Sequence, residues 1–384
     1  MNHPLLSVIM PSRAEFPQIV FTIHNILNCW RVEGFKDTDI EIIIVENCSN
    51  DDVYPHRGTK GTVSYLMPRG AFWNRILRVV RDPIAGNHTA RTTGAKVARG
   101  DYLFFTDAHM SYVPGFFKTM LETINETRGL FHGVIGWLGA WPPTPKGLGY
   151  QYTIKVGEEW KGTWTNYLLD SDKWFYIASL GHCSVGVLKE QFFKFGGYQK
   201  IHRTYGGGEL YLDMKWWMLG STVVVHPKAI GFHLASGRGY SYDHDDYIEN
   251  IMGCMYALGI DDWRERTYLN YLRKGRKEVL DKIMERSAKE HEADRAWIEK
   301  KRKYTFNELL VEQPWNKLNK RRLGKSNGHI LVFHDTWLDL LHEAPQYVQE
   351  AYKNSKYQKG LEEFINNNLS QYVYKRTQPI ISTK

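Results

Sequence analysis

The segment Tyr102–His109 constrains the fold of this chain more than any other stretch. It begins as a continuous apolar run, which is typical of a strand buried on both faces of a parallel sheet. Asp107 and His109 follow one position apart, and strand geometry points both side chains the same way. In open α/β sheets, ligands bind where the strands end. A carboxylate and an imidazole at such a point suit Mn²⁺ or a similar divalent ion that also holds phosphate oxygens.

Strand and helix patterns alternate through the first 110 residues, which is typical of βαβ units. The predicted strands are 7–11, 41–45, 63–67 and 101–106, and the predicted helices are 17–30 and 87–99. We therefore predict an α/β fold with a mostly parallel central sheet flanked by helices. A helix is expected over 114–126, hairpins and loops over 133–178, and short strands with one helix over 179–240. Residues 246–384 are predicted to be mainly helical.

Charge and cysteine usage narrow the class of protein. The net charge of +8 favours polyanionic partners such as nucleic acid or an anionic membrane surface. The four cysteines form no C-x-x-C pair, so we predict reduced thiols in a cytosolic protein. The first apolar run, Leu5–Met10, is too short for a signal peptide or a membrane span. We expect a cytoplasmic protein without a transmembrane segment, in the host cytoplasm if the protein is viral.

Three further segments carry candidate site residues. Glycines 206–208 precede Glu209 at the start of a helical stretch, where glycine lets the backbone approach a ligand and the helix dipole favours an acid. His233 follows the strand 222–225 and supplies a second imidazole. Glu46 ends the second strand, where it could accept hydrogen bonds from a base or a ribose. Each position has a plain structural alternative, such as a buried core histidine or a turn acid.

The chain resembles the nucleotide-sugar glycosyltransferases of the GT-A fold, and among them the polypeptide N-acetylgalactosaminyltransferases and the family-2 enzymes. The resemblance covers roughly residues 5–245, with order and spacing preserved across several blocks. The matching blocks are Val8–Pro11, Ile44–Asn47, Ala90-Arg91 with Gly94-Ala95 and Gly100, Phe105–His109, Gly186–Leu188 with Phe192-Phe193, Gly196–Tyr198, Gly207–Glu209, Trp216–Met218 with Gly220, and Gly231–His233. Two departures are Tyr205, where the family has tryptophan, and Gly181–Ser184, where it is richer in glycine.

The resemblance implies a UDP-sugar donor and a Mn²⁺ or Mg²⁺ cofactor. Asp107, His109 and His233 are the implied ligands of one ion, which would neutralise charge on the departing UDP. Glu46 would hold the uridine. The other residues implied to contact the donor are Pro11, Arg13, Arg91, Gly94, Ala108, Gly207 and Gly208. Arg91 could equally pair with a neighbouring carboxylate.

The two implied catalytic acids are Glu209, beside the reacting sugar, and Asp213, one helical turn later. In an inverting enzyme one of them would act as general base towards the acceptor hydroxyl. In a retaining enzyme, Glu209 would instead position hydroxyl groups. A surface charge on the helix is the alternative for Asp213. The tryptophans at 137, 141, 160 and 164 are candidates for an acceptor platform or for core packing.

The resemblance divides the chain into a GT-A catalytic domain and a basic helical region, 246–384. The catalytic domain, 1–245, comprises a nucleotide-binding half, 1–110, and an acceptor half, 111–245. The helical region carries three basic runs, 273–277, 300–303 and 320–322. These runs and the net charge favour DNA as the partner.

We predict a sugar acceptor in DNA, a hydroxymethylated pyrimidine of a viral genome, whose duplex base would have to be extruded into the site. A second acceptor remains open, a cell-envelope or capsular glycan made on the cytosolic side of a membrane. A different function also remains open, namely non-catalytic nucleic-acid binding on a transferase scaffold. A nucleotidyltransferase also uses a strand-end acid and a metal, but it would release diphosphate rather than UDP.

Overall fold

A computed structural model gives the fold of the chain. The residues that it describes are 3–47, 76–137, 151–155, 161–164, 173–234, 242–273 and 275–323, together with 346, 350 and 354. Among these residues, no helix combines the length and the apolar character that crossing a bilayer requires.

The strands form one large sheet and one hairpin. In chain order they are β1 (Leu6–Ser12), β2 (Ile40–Asn47), β3 (Leu77–Asp82), β4 (Tyr102–Thr106), β5 (Met110–Tyr112), β6 (Leu130–Trp137), β7 (Gln151–Lys155), β8 (Lys161–Trp164), β9 (Phe175–Tyr176), β10 (Ser184–Leu188) and β11 (Val223–His233). The large sheet has nine strands in the order β3-β2-β1-β4-β10-β6-β11-β5, with β9 also paired to β11. β7 and β8 form the separate two-stranded hairpin.

The sheet is parallel in its first half and mixed in its second. β1, β2, β3 and β4 pair in parallel, so their carboxyl ends meet at one edge. β10 runs antiparallel to both β4 and β6, and β5 runs antiparallel to β11. β1, β2 and β4 are almost wholly buried because helices cover both faces, as their apolar sequences predict.

Ten helices are described. They are α1 (Gln18–Val32), α2 (Asn87–Val97), α3 (Phe116–Thr127), α4 (Lys189–Lys194), α5 (Glu209–Met218), α6 (His244–Ala257), α7 (Asp261–Leu272), α8 (Lys277–Lys301), α9 (Phe306–Glu312) and α10 (Pro314–Leu323). α1 shows why the amphipathic pattern folds this way. Ile19, Ile23 and Ile26 recur at helical spacing and are fully buried against one face of the sheet. α2 and α5 contribute to the apolar cluster on the other face.

The helices after residue 245 pack onto the sheet domain rather than away from it. Trp315 of α10 meets Trp217 of α5 with ring centroids 5.4 Å apart. The Asn319 side chain bonds both backbone polar groups of Tyr176, at 2.7 and 2.8 Å. Phe306 and Leu309 of α9 belong to the same apolar cluster as the strands. The predicted domain boundary near residue 245 stays a prediction, and one continuous core crosses it.

The predicted α/β architecture is confirmed, and so is the helical character of the described residues after 245, with several differences in detail. β5 and β6 were not predicted, and β6 extends into the segment expected to form hairpins and loops. β3 was not predicted, because its Leu-Arg-Val-Val-Arg-Asp sequence reflects an edge strand with exposed arginines rather than an apolar run. The antiparallel direction of β10 carries no signature in its own sequence. Two helices, α4 and α5, stand where one was predicted. The strand predicted at 63–67, the residues Trp141 and Trp160, and the side chains of Trp137 and Trp164 lie outside what the structure describes.

Candidate metal and donor site

Asp107 and His109 lie on the short turn between β4 and β5, at the edge where the parallel strands end. The pairing of Ile9 with Phe105 sets this turn level with the end of β1. The backbone N–H of Asp107 donates to the carbonyl of Cys183, at 3.1 Å. The turn is therefore held from two sides, by the sheet and by the segment that leads into β10.

His233 reaches this turn through the pairing of β11 with β5. His233 stands opposite Met110 in that antiparallel ladder, and Leu234 N–H donates to the carbonyl of His109 at 2.9 Å. The two Nε2 atoms of His109 and His233 are 3.1 Å apart, and His233 Nε2 is 3.5 Å from Asp107 Oδ2. One potential ligand atom from each of the three residues lies within 4.8 Å of the other two. The three predicted metal ligands thus converge.

The donor set fits a divalent cation. Neighbouring ligand atoms around an ion with bonds of about 2.1 Å stand roughly 3 Å apart, close to the separations observed here. Two imidazoles and one carboxylate on one side of the ion leave its other positions for oxygen ligands. Such a set suits Mn²⁺ among the common divalent ions and is compatible with Mg²⁺.

Arg91 fixes the carboxylate of Asp107. Its Nη2 donates to Asp107 Oδ1 at 2.9 Å and to the carbonyl of His182 at 2.7 Å. Burial by itself raises the pKa of Asp107, but the hydrogen bond to His233 and the positive charge of Arg91 outweigh it, so the pKa lies below its usual range. Asp107 is therefore held ionised. Arg91 is 1% exposed, so the alternative of pairing with a carboxylate describes it better than direct donor contact.

Glu15 is a site residue that the sequence reasoning missed. Its Oε2 lies 3.0 Å from Nδ1 of His109, which donates to it and leaves Nε2 facing Asp107 and His233. A carboxylate that orients a ligating imidazole is a recurrent feature of metal sites. The only signal in the sequence was an acid in the loop that follows the first strand.

The residues predicted to hold the nucleotide lie at the same edge of the sheet. Pro11 pairs with Val45, and Ser12 pairs with Glu46, so the ends of β1 and β2 are level. Arg13 comes directly after β1, and Pro11, Arg13 and Glu46 are all partly exposed. This edge is therefore accessible next to the metal-ligand cluster.

Two residues predicted to contact the donor pack in the core. A Cβ on Gly94 would lie 2.4 Å from Ile9 Cγ2 and 3.0 Å from Val45 Cγ2, so glycine is needed for α2 to pack on β1 and β2. Ala108 is 1% exposed, and its carbonyl accepts a hydrogen bond from Thr22 Oγ1 at 2.9 Å. Packing is sufficient to require a small residue at both positions, and a contact of either residue with the donor stays a prediction.

The glycine loop before α5 also packs against its own chain. A Cβ on Gly207 would lie 2.9 Å from the carbonyl of Tyr247, and one on Gly208 would lie 2.5 Å from Cε1 of His88. Gly207 has a φ of +77°, a conformation that other residues rarely adopt. The contact of these glycines with a donor stays a prediction, since packing is sufficient to require them.

The two predicted catalytic acids differ in position. Glu209 is the first residue of α5, and its side chain lies outside what the structure describes. Asp213 is fully buried, with its carboxylate bonded to the N–H of Leu180 and to His182 Nε2. It is neither a surface charge nor exposed to an acceptor hydroxyl. A general base must reach the proton that it removes, so the burial of Asp213 gives no support to that predicted role, which stays a prediction.

Some cations of the helical region form ion pairs. They are Arg276 with Asp245, Lys277 with Asp281, Arg286 with Glu249 and Arg295 with Asp261. The last two pairs join α8 to α6 and α7. Arg276 and Lys277 belong to the first basic run, 273–277, so their pairing weakens the argument from that run to nucleic-acid binding.

Residues 7–155 match the family model described as "Glycosyl transferase family 2". The chain is 24% identical over 238 residues to polypeptide N-acetylgalactosaminyltransferase 3 of Drosophila melanogaster, covering 58% of this chain and 35% of the relative. It is 23% identical over 300 residues to polypeptide N-acetylgalactosaminyltransferase 4 of Mus musculus, covering 74% and 48%. The chain thus spans less than half the length of these relatives.

Among solved structures, GalNAc-T7 with UDP, GalNAc and Mn²⁺ superposes with a TM-score of 0.56 at 16% identity, covering 77% of this chain and 57% of that one. At this identity the likeness concerns the fold. The chain therefore has the GT-A fold, and its residues 7–155 are similar to the family-2 glycosyltransferases.

Proposed function

We propose that this chain is a metal-dependent glycosyltransferase that moves a sugar from a UDP-sugar to a hydroxyl group of an acceptor. The observation that carries the proposal is the convergence of Asp107, His109 and His233 at the carboxyl edge of a GT-A sheet. Support for the donor comes from the relatives, which are N-acetylgalactosaminyltransferases, and from the neighbour of the same fold that holds UDP and Mn²⁺.

The three ligands would hold Mn²⁺ or Mg²⁺, which supplies Lewis-acid neutralisation of the diphosphate leaving group when bound. Arg91 keeps the Asp107 carboxylate ionised and oriented. Glu15 accepts the Nδ1 proton of His109, so that Nε2 presents its lone pair towards the centre of the cluster. Both contacts set the protonation and direction of ligand atoms before any donor arrives.

Glu46, with Pro11 and Arg13, is proposed to receive the nucleotide, because these residues end the strands beside the ligand cluster and are partly exposed. Glu209 is proposed to act beside the reacting sugar from the first turn of α5. Gly207 and Gly208 would bring the backbone near the sugar.

The acceptor is proposed to present a hydroxyl group. The relatives named above act on polypeptides by their names, which gives no support to a hydroxymethylated base in DNA. Two cations of α8, Arg286 and Arg295, are already paired with carboxylates of the same chain. Polypeptide, envelope glycan and modified DNA are therefore three arms of one experiment. The cytoplasmic location stays a prediction, to be checked by cell fractionation.

The experiment offers the full chain a panel of UDP-sugars with Mn²⁺, and measures UDP release with and without EDTA. Each acceptor arm is scored by a mass shift of one sugar. We expect UDP release that EDTA abolishes and added Mn²⁺ restores. Transfer to duplex DNA that weakens steeply with salt would favour the DNA acceptor. Absence of UDP release from every sugar nucleotide would overturn the proposal, and release of diphosphate would indicate a nucleotidyltransferase.

A further inference from the structure

Asp213 uses its buried carboxylate to hold one short segment of chain. Oδ2 accepts from the N–H of Leu180 at 2.9 Å, and Oδ1 lies 3.3 Å from His182 Nε2. Both partners belong to the segment 180–183 that leads into β10. Asp213 is 0% exposed and His182 is 2% exposed, so no solvent screens the pair. A carboxylate buried among apolar residues of α5 is costly unless its hydrogen bonds are satisfied.

The same short segment supports the metal-ligand cluster. The carbonyl of His182 accepts from Arg91 Nη2 at 2.7 Å, and the carbonyl of Cys183 accepts from the N–H of Asp107 at 3.1 Å. Arg91 Nη2 in turn donates to Asp107 Oδ1 at 2.9 Å. A continuous line of polar contacts therefore runs from Asp213 through His182 and Arg91 to Asp107.

Arg91 depends on this segment to hold its position. Its Nε and Nη1 atoms have no hydrogen-bond partner among the residues that the structure describes, so Nη2 makes both of its bonds. If the carbonyl of His182 moves, the guanidinium loses one of its two hydrogen bonds. Asp107 then loses its fixed partner, because among the described residues the guanidinium is the one permanently charged cation within ion-pair distance of Asp107.

We propose that Asp213 and His182 are positioning residues that set the metal affinity of the site by fixing the 180–183 segment, and through it Arg91 and Asp107. This role rests on the proposed function, because it assumes that Asp107 binds the ion. In this role, neither residue contacts the ion or the donor directly. Asp213 would thus support the metal ligands through His182 and Leu180, a different role from the general base that its sequence position suggested.

The first test compares Asp213→Asn with Glu41→Gln. Glu41 is a matched control, because it is also a buried carboxylate, 1% exposed. It lies near the start of β2, at the end of the strand away from the metal-ligand cluster, and bonds Ser7 and Arg99 there. Isothermal titration with Mn²⁺ alone measures affinity without requiring a donor. Substitution of a residue that holds a metal ligand in place typically costs about 10- to 100-fold in metal affinity. We expect a loss in that range for Asp213→Asn and less than twofold for Glu41→Gln, although both variants lower the thermal unfolding midpoint.

Two further variants keep the test decisive if Asp213→Asn folds poorly. His182→Gln retains a side-chain donor towards Asp213, so it should keep most of the Mn²⁺ affinity that His182→Ala loses. In an Arg91→Lys background, Asp213→Asn should add little further loss, because both changes act through one line of contacts. Equal affinities in His182→Gln and His182→Ala, fully additive losses, or wild-type affinity in Asp213→Asn would each overturn the inference.

These readouts separate the inference from the proposed function. If the wild-type chain binds Mn²⁺ but releases UDP from no sugar nucleotide, the proposed function fails while the affinity comparison still tests the positioning pair. If UDP release is metal-dependent and Asp213→Asn changes neither Mn²⁺ affinity nor the ratio of kcat to KM, the inference fails and the proposed function stands.

Discussion

Nε2 of His109 lies 3.1 Å from Nε2 of His233, although 124 residues separate the two histidines along the chain. The contact depends on the antiparallel pairing of β5 with β11, which sets His233 beside the turn that carries Asp107 and His109. Two imidazole nitrogens at this distance, with a carboxylate next to them, form a site for a cation. The predictions below test that interpretation and the contacts that support it.

Asp107→Asn should weaken Mn²⁺ binding by at least about 100-fold, because the change removes the ionised ligand and leaves Arg91 without its charged partner. Titration calorimetry with Mn²⁺ measures the loss. Asp101→Asn is the control, since Asp101 lies at the other end of β4 with an exposed side chain and should bind like wild type. Equal affinity in both variants would contradict the assignment of Asp107 as a ligand.

Glu15→Ala should lower Mn²⁺ affinity by about 10-fold, because His109 loses the acceptor that fixes its Nδ1 proton. Glu15→Gln keeps a carbonyl acceptor and should lose only part of that affinity. The thermal unfolding midpoint should change little in either variant, because the Glu15 side chain is only partly buried. An Ala variant with unchanged affinity but lower stability would mean that Glu15 serves the fold rather than the site.

Gly94→Ala should destabilise the protein by about 1–3 kcal/mol, the usual cost of inserting a methyl group into a packed core. The new methyl would meet Ile9 and Val45. Urea unfolding measures the loss, and Mn²⁺ titration of the folded variant should match wild type. Unchanged stability together with weaker binding of a UDP-sugar would instead support the predicted contact of Gly94 with the donor.

The folded protein should lose stability as the pH falls below about 6.5, the pKa of an unperturbed histidine. Burial lowers the pKa of His132 and of His202 to about 3 in the folded state. Between these values the unfolded chain binds more protons than the folded chain, so the free energy of unfolding decreases on acidification. It is fully restored above pH 6.5, and each histidine contributes a slope of at most about 1.4 kcal/mol per pH unit.

Urea unfolding at pH 7.5, 6.5 and 5.5 without metal measures this slope, above the range in which most carboxylates titrate. His202→Gln retains a donor for the carbonyl of Gly206 and removes the titrating ring, so its slope should be shallower than that of wild type. His132→Gln should behave in the same way. Identical slopes in wild type and both variants would exclude these buried rings as the cause.

Local patterns in the sequence were sufficient for much of the fold and for part of the site. The apolar strand before Asp107 and the helix that carries Arg91 were predicted because a strand and an amphipathic helix depend on neighbours a few residues away. β3 was missed, since an edge strand with exposed arginines lacks the apolar run of a buried strand. Glu15 and His182 were missed because neither stands in a motif, and each acts through a contact with a distant residue.

By itself, the sequence determined that apolar strands end in polar residues and that Asp107 and His109 share one turn, because side-chain periodicity is a local property of the chain. Only the tertiary structure decided that His233 joins them, that Gly94 faces the sheet, and that Asp213 lies buried against the 180–183 segment. These facts follow from strand pairing and burial across long separations in sequence, which a local pattern does not specify. The site is therefore a product of the β5–β11 ladder and of the 180–183 segment as much as of the residues that line it.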